Sequence, residues 1–153
     1  MKRTALLFLV LAPLAACSAE PPPVEEPSVS RADSVSFAEL AFDATAFDTI
    51  AWDDAAAAVG RGNIVFSISC SKCHGETGRG TGGFVMGGET LAPPSFLDPE
   101  WRFADDPMGL RQQIFSGNAA GMPYWGLVGL KYRDTDAVAT FITEFLRPNY
   151  GSN

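Results

Sequence analysis

The segment SISCSKCHGETGRGTGG, residues 67–83, holds two of the three cysteines and the only histidine of the chain: Cys70, Cys73 and His74. Each ordinary use of such a cluster makes a demand on the rest of the sequence. A structural zinc site needs four ligands, and no second Cys or His pair exists to complete one. A thioredoxin-like redox pair needs a βαβ setting; here the flanks read as a helix before and a Gly-rich loop after. A structural disulfide between positions so close closes a tiny loop and stabilises little.

What remains is Cys-x-x-Cys-His, the attachment signature of c-type haem. The spacing has a mechanical reason. Two thiols one helical turn apart can each form a thioether to adjacent vinyl-derived carbons on one porphyrin edge, and the next residue projects its imidazole to the iron. One motif predicts one covalent haem c, held by Cys70 and Cys73, with His74 on the metal. A second histidine ligand within the chain is excluded by composition. The sulfur candidates are Met86, Met108 and Met122. Met108 falls in the first turn of a predicted helix and reads as packing, the common use of methionine. Met86 lies in the Gly-rich loop soon after His74. Met122 lies in AAGMPYWG, between the second and last predicted helices. An open or water-bound iron is the remaining case.

The chain has 153 residues, enough for one modest domain plus extra segments. Its formal charge of −7 argues against general nucleic-acid binding, which needs clustered Lys and Arg. Residues 1–16 read as a secretion signal, a short basic start followed by an apolar run too short to span a membrane. LAAC, Leu14 to Cys17, resembles the bacterial lipoprotein lipobox. By that resemblance cleavage falls before Cys17, which becomes the lipid-modified first residue and leaves an even pair of cysteines. Ser18 after it resembles outer-membrane sorting in Gram-negative bacteria. Residues 17–34 read as a lipid-attached Pro- and Glu-rich linker, extended and solvated. Nine acids lie within residues 18–60 against Arg31 alone; from Arg61 onward nine acids face eight bases, so the acidity belongs to the N-terminal arm.

Residues 35–56 form that acidic aromatic arm, with aromatics at 37, 42, 47 and 52. A five-residue step follows neither a helix nor one face of a strand, and four units are too few to stack as a solenoid. The arm is predicted to be irregular, with its aromatics docked on the domain. Residues 57–153 form that domain. Three helices are expected in it. Asp53 or Asp54 caps the first, with Val59, Asn63 or Ile64, Phe66 and Ile68 near helical spacing. Asp106 caps the second, with Pro107 in its first turn, Leu110, Ile114 and Phe115 inward, and Gly117 as its stop. Asp134 or Thr135 caps the third, with Val138, Phe141, Ile142 and Phe145 inward and Pro148 as its end. Residues 75–101 are too rich in Gly and Pro for regular structure. So long a loop suits a domain that wraps a prosthetic group.

These features together resemble the class I monohaem cytochrome c family, including bacterial haem domains of the cbb3-oxidase-subunit kind. The resemblance covers about ninety residues, 57–147. RGNIVFSISCSKCHGETGRGTGG is similar to the family's first helix and haem-binding turn. LAPPSF resembles its loop over the proximal histidine, IFSGNAAGMPYW its distal methionine segment, and DAVATFITEFL its closing helix. The resemblance implies an all-α cytochrome c fold of three to four helices with long loops around one covalent haem. It implies Met122 as the second iron ligand, with Met86 as the alternative. It also implies a proline carbonyl accepting from the other ring nitrogen of His74, Pro94 being the better match and Pro93 the fallback. Gly62 and Phe66 are expected to meet Phe141. Tyr124, Trp125, Trp101, Arg102, Lys131 and Arg133 are candidates to face haem propionates.

The function implied is a membrane-tethered one-electron carrier rather than an enzyme, since no Ser/His/Asp set is possible once His74 is on iron. It is expected to be exported and lipid-anchored to the envelope membrane, with the haem domain facing the periplasm. Its partners would be redox proteins, a quinol or dehydrogenase donor and an oxidase or reductase acceptor, together with the membrane, and no nucleic acid. The alternatives are a gas-binding haem sensor and a dedicated electron-transfer subunit of a dehydrogenase or terminal oxidase.

Overall fold

The computed structural model describes residues 29–151. The expected signal segment, Cys17 and most of the linker lie outside the described residues. The elements run α1 (Arg31–Ala41), a 3-10 turn (Ala44–Phe47), α2 (Ala55–Ser69), α3 (Ser71–His74), strands β1 (Val85–Met86) and β2 (Glu89–Thr90), α4 (Pro107–Ser116), α5 (Tyr132–Phe141), a π-type stretch (Ile142–Leu146) and α6 (Arg147–Tyr150). This is the all-α architecture with long loops that the cytochrome c resemblance implies. Within the Gly-rich stretch the chain still makes one small antiparallel hairpin, pairing Val85 with Thr90 and Met86 with Glu89.

Local chemistry sets several helix ends. The Asp54 carboxylate accepts from the Ala57 N–H at 2.7 Å and starts α2. Asp106 accepts from the Gly109 N–H at 2.8 Å and starts α4, with Pro107 in its first turn. In both cases the cap satisfies a backbone donor that no helical carbonyl can reach. Gly117, at φ 69°, closes α4 through its N–H to the Gln113 carbonyl.

The packing of α2 differs from the sequence expectation. Its buried face is Ala58, Gly62, Val65 and Phe66, whereas Ile64 and Ile68 stand 52% and 70% exposed. Small residues won that face because α2 makes the most extensive helix contact of the molecule, against α5. At Gly62 a Cβ would collide with the Ala137 carbonyl and stand 2.6 Å from the Phe141 Cβ. The expected meeting with Phe141 is present, and Phe66 lies 5.4 Å from it, ring centre to ring centre. Phe66 and Leu146 are almost fully buried in this core, each burial being worth about 1.5–3 kcal/mol.

The last helix also departs from expectation. It starts at Tyr132, with Lys131 as a cap that makes no side-chain bond. Asp134 cannot cap, because its carboxylate is bound by Arg61 Nε at 2.7 Å, and Thr135 is fully buried. The guanidinium holds the Asp134 carboxyl below the ordinary carboxylate range. Pro148 does not end the chain's coiling. The π-type stretch closes with Arg147 N–H on the Ile142 carbonyl, and Pro148, which has no N–H to give, follows in α6 without breaking the coiling. The inserted residue turns the following side chains by roughly 100°. Phe145 is therefore 38% exposed, although it still stacks on Phe141 at 5.3 Å.

The arm is more ordered than its pentad period predicts. It begins inside the expected linker: residues 31–34 are not extended but form the first turn of α1, which Ser30 caps by accepting from the Asp33 N–H at 3.1 Å, and Ala38 is fully buried. Three of the four aromatics dock. Phe42 meets Phe115 of α4 edge-on at 5.5 Å, and Phe47 meets Tyr132 of α5 at 5.2 Å. Trp52 Nε1 donates to Asp136 at 2.7 Å. The same carboxylate takes Arg111 at 2.7 Å, so this largely buried acid is paired from two sides. The first aromatic, Phe37, faces outward at 59% exposure.

Candidate haem site

The helix α2 runs almost directly into α3: Cys70 is the junction residue that caps both, and Cys73 and His74 end the single turn of α3 that follows. The Cys70 carbonyl accepts from the N–H groups of Cys73 and His74, but the carbonyls of Cys73 and His74 would be orphaned at this helix end. The Gly-rich loop returns to satisfy them: Gly80 N–H donates to the His74 carbonyl at 2.8 Å and Gly82 N–H to the Cys73 carbonyl at 3.1 Å. The glycines thus hold the motif's backbone in place.

Beside the motif lies a cavity of about 480 Å³, within the ~300–1,000 Å³ usual for small-molecule and cofactor sites. Cys70, Cys73, His74, Pro94 and Met122 all line it. The core residues Phe96, Trp101, Leu110 and Ile114 supply apolar wall. Both cysteines are free, and burial raises both thiols, Cys70 to about 12 with a lesser push from the Cys73 charge. A redox dithiol would show the opposite shift, toward the thiolate. Burial lowers His74 to about 4, so at neutral pH it is the neutral imidazole that a metal requires. An apolar cavity, two free thiols and a neutral, unbonded imidazole fit a covalent haem.

The proline carbonyl expected on the histidine ring is not there. His74 Nδ1 is buried and has no hydrogen-bond partner among the described residues. Pro93 turns its carbonyl against Gly80, and Pro94 lines the cavity without bonding the ring. Instead Phe96 lies on the imidazole, with centroids 4.5 Å apart and planes 24° apart. Phe96 is held by its N–H to the Gly78 carbonyl at 2.9 Å and by Arg147, which donates to its carbonyl.

The three methionines part company. Met122 is partly buried against the core; Gln113 Nε2 stands 3.6 Å from its sulfur, and the Met122 N–H donates to Asn118 Oδ1 at 3.2 Å. Met86 is in the hairpin, its sulfur accepting from Arg31 at 3.5 Å, and does not line the cavity. Met108, in the first turn of α4, is 36% exposed and also outside it. Of the propionate candidates, Trp101, Arg102 and Trp125 reach the cavity, whereas Tyr124, Lys131 and Arg133 do not. Arg133 is spent on the arm, stacked over Trp52 at 3.9 Å and donating to the Ala51 carbonyl at 2.8 Å. Sequence reasoning missed Gln113 and Phe96. Gln113 shares the α4 face with Leu110 and Ile114, and Phe96 follows Pro94 by two residues, so helical periodicity and the proline segment carried weak signals for both.

A profile of the family described as cytochrome C oxidase, cbb3-type, subunit III matches residues 57–142. The cbb3-type cytochrome c oxidase subunit CcoP of Azospirillum brasilense is 37% identical over 70 residues, 46% of this chain and 23% of the relative. The subunit FixP of Azorhizobium caulinodans is 30% identical over 66 residues, 43% of this chain and 20% of the relative. FixP of Bradyrhizobium diazoefficiens is 29% identical over 65 residues, 42% and 20% of the two chains. The chain therefore spans about a fifth to a quarter of the length of these curated relatives. No solved structure matches it.

Proposed function

The chain belongs to the family of cbb3-type cytochrome c oxidase subunit III, and from that premise we propose that it is a monohaem c-type cytochrome that carries single electrons and catalyses no bond-making of its own. The observation that supports this most is the one cavity shared by Cys70, Cys73, His74 and Met122. Cys70 and Cys73 would anchor the haem as thioethers, each S–H adding across one vinyl C=C with no net change of electrons. His74 would offer the lone pair of a neutral imidazole, with Phe96 fixing the plane of its ring. Met122 would supply a thioether sulfur. A haem c iron so held exchanges one electron between its ferric and ferrous forms, and the soft sulfur favours the ferrous one. The apolar walls exclude water and keep reorganisation small. The relatives' names favour one form of this role, an electron-transfer subunit delivering to a terminal oxidase.

Acid–acetone extraction of the exported, matured protein tests the attachment. The haem is expected to stay with the polypeptide, and the Cys70→Ala, Cys73→Ala double variant is expected to lose it. Complete extraction of haem from wild type would sink the reading.

We further propose that Cys17 carries lipid after removal of residues 1–16, that the linker from Cys17 up to the start of α1 at Arg31 is the tether, and that the haem domain faces the periplasm. An acylated anchor with more than one chain binds membranes stably. Wild type is expected in the membrane fraction and Cys17→Ala in the soluble one. Equal partitioning of the two would refute the anchor.

A further inference from the structure

We propose that α1 and the acidic arm that continues it, together the strap-like arm preceding the haem domain, position the Met122 loop, with Phe42 and Arg31 as the points of purchase. The proposal rests on the reading of Met122 as an iron ligand only for its spectroscopic consequence; the strap itself is argued from contacts.

Residues 117–126 carry Met122 on irregular chain outside any helix or strand. Its own ties are local: Asn118 N–H donates to the Met122 carbonyl at 3.0 Å, Met122 N–H to Asn118 Oδ1 at 3.2 Å and Gly121 N–H to the Asn118 carbonyl at 3.4 Å, while Gly126 N–H reaches the Phe115 carbonyl at 2.9 Å and Gln113 Nε2 the Gly117 carbonyl at 2.7 Å. A segment tied through Asn118 and at its two ends opens at lower free energy than the core helices unless something backs it. Two supports do so. At its far end the loop rests on Phe115, whose ring occupies the space a Cβ on Gly126 would need. Just before Met122, the methyl of Met86 lies 3.2 Å from where a Cβ on Gly121 would stand, alongside Leu91.

The arm holds both supports. Phe42 meets Phe115 edge-on at 5.5 Å, and Phe115 stacks on Tyr132 at 5.0 Å. Arg31 donates to the Met86 sulfur at 3.5 Å. The arm has its own seat, independent of the loop. Asp43 N–H donates to Tyr132 Oη at 2.8 Å, Tyr132 Oη donates to the Ala41 carbonyl at 3.3 Å, and Trp52 is fastened to Asp136. The pentad spacing then has a physical meaning. Position 42 seats on Phe115 of α4, and positions 47 and 52 seat on Tyr132 and Asp136, one turn apart on α5, so no helical or strand period is needed to reach them. A seated arm favours the closed loop by whatever free energy its contacts lose when the loop opens, and the coupling is reciprocal. The arm lies outside the residues that match the family profile, so the strap is a feature of this chain rather than of the shared domain.

The test uses the full-length holoprotein and four variants: Phe42→Ala, Phe42→Leu, Arg31→Ala and Phe37→Ala. Amide hydrogen exchange is read at Met122 and Gly126, with the amides of α2 around Phe66 as an internal reference. CO binding to the ferrous form is followed in parallel. Phe42→Ala is expected to speed exchange at Met122 and Gly126 by about tenfold, equivalent to about 1.4 kcal/mol of opening free energy. CO binding should accelerate by a similar factor, while α2 stays unchanged. Phe42→Leu restores much of the protection because an apolar contact with Phe115 remains. Arg31→Ala, a change at an exposed residue that leaves folding intact, produces a smaller acceleration centred on Gly121 and Met122. Phe37→Ala, on the outward face, changes nothing.

Unchanged exchange at both loop amides in Phe42→Ala and Arg31→Ala overturns the strap. So does acceleration spread equally over α2, which marks general loosening. If loop exchange responds as expected but CO binding is already rapid in wild type, the strap stands and the assignment of Met122 to the iron falls.

Discussion

Replacing Met122 by alanine abolishes the sulfur-to-iron charge-transfer band of the ferric protein, opens the ferrous protein to CO, and lowers the reduction potential by on the order of 100 mV. The size follows from the ~0.8 V over which axial ligands tune haem potentials. The direction follows from the sulfur, a soft donor that stabilises ferrous over ferric iron, so its loss favours the oxidised form. Met86→Ala leaves the band and the potential at their wild-type values, because its sulfur is engaged with Arg31 and does not line the cavity; CO binding speeds only modestly, through the support its methyl gives the loop at Gly121. Absorption spectroscopy, CO binding and a redox titration of the two variants decide between them. A reversed pattern moves the ligand to Met86. A silent Met122→Ala with a silent Met86→Ala means that neither sulfur is on the iron.

Gly62→Ala destabilises the protein by about 3 kcal/mol, whereas Gly60→Ala, two residues away on the same helix, stabilises it by about 0.5–1 kcal/mol. Propensity is the same at both positions: alanine is the better helix former by nearly 1 kcal/mol. The surroundings differ. A Cβ at Gly60 meets nothing within 4 Å. A Cβ at Gly62 meets the backbone carbonyl of Ala137, which cannot rotate away, and the Phe141 Cβ at 2.6 Å. Accommodating it means prising α2 from α5, and Phe66 and Phe141 lose contact with each other. Urea unfolding of the two variants measures the difference. Equal stabilities would show that the α2–α5 contact relaxes freely, and would remove Gly62 as the reason the two helices approach so closely.

Much of the site could be read from residues close together in the chain, and the reason is local. Cys70, Cys73 and His74 owe their arrangement to one helical turn, so their spacing is already their geometry. The caps at Asp54 and Asp106 and the stop at Gly117 are likewise legible, because each involves a backbone group within a few residues of the side chain or carbonyl that bonds it. The fold class came through the resemblance of these same local segments to the cytochrome c family, with the long Gly- and Pro-rich loop fitting a domain that wraps a prosthetic group.

Where the partner is distant in sequence, pattern failed in specific ways. Ile64 and Ile68 looked like core and face outward, because the inward face of α2 was decided by how closely α5 could come, and that depends on Gly62. Asp134 looked like a cap and is an ion-pair partner of Arg61, 73 residues earlier. The His74 ring was expected to bond a proline carbonyl and stacks on Phe96. The arm's aromatics were visible as a period, but their seats on Phe115, Tyr132 and Asp136 were not. The sequence by itself determined the haem motif, the caps at Asp54 and Asp106, the stop at Gly117 and the pentad rhythm, all of them consequences of covalent spacing and near-neighbour hydrogen bonds. Only the tertiary structure decided which face of each helix is buried, which methionine reaches the cavity and what the arm rests on, because those outcomes depend on packing between surfaces tens of residues apart.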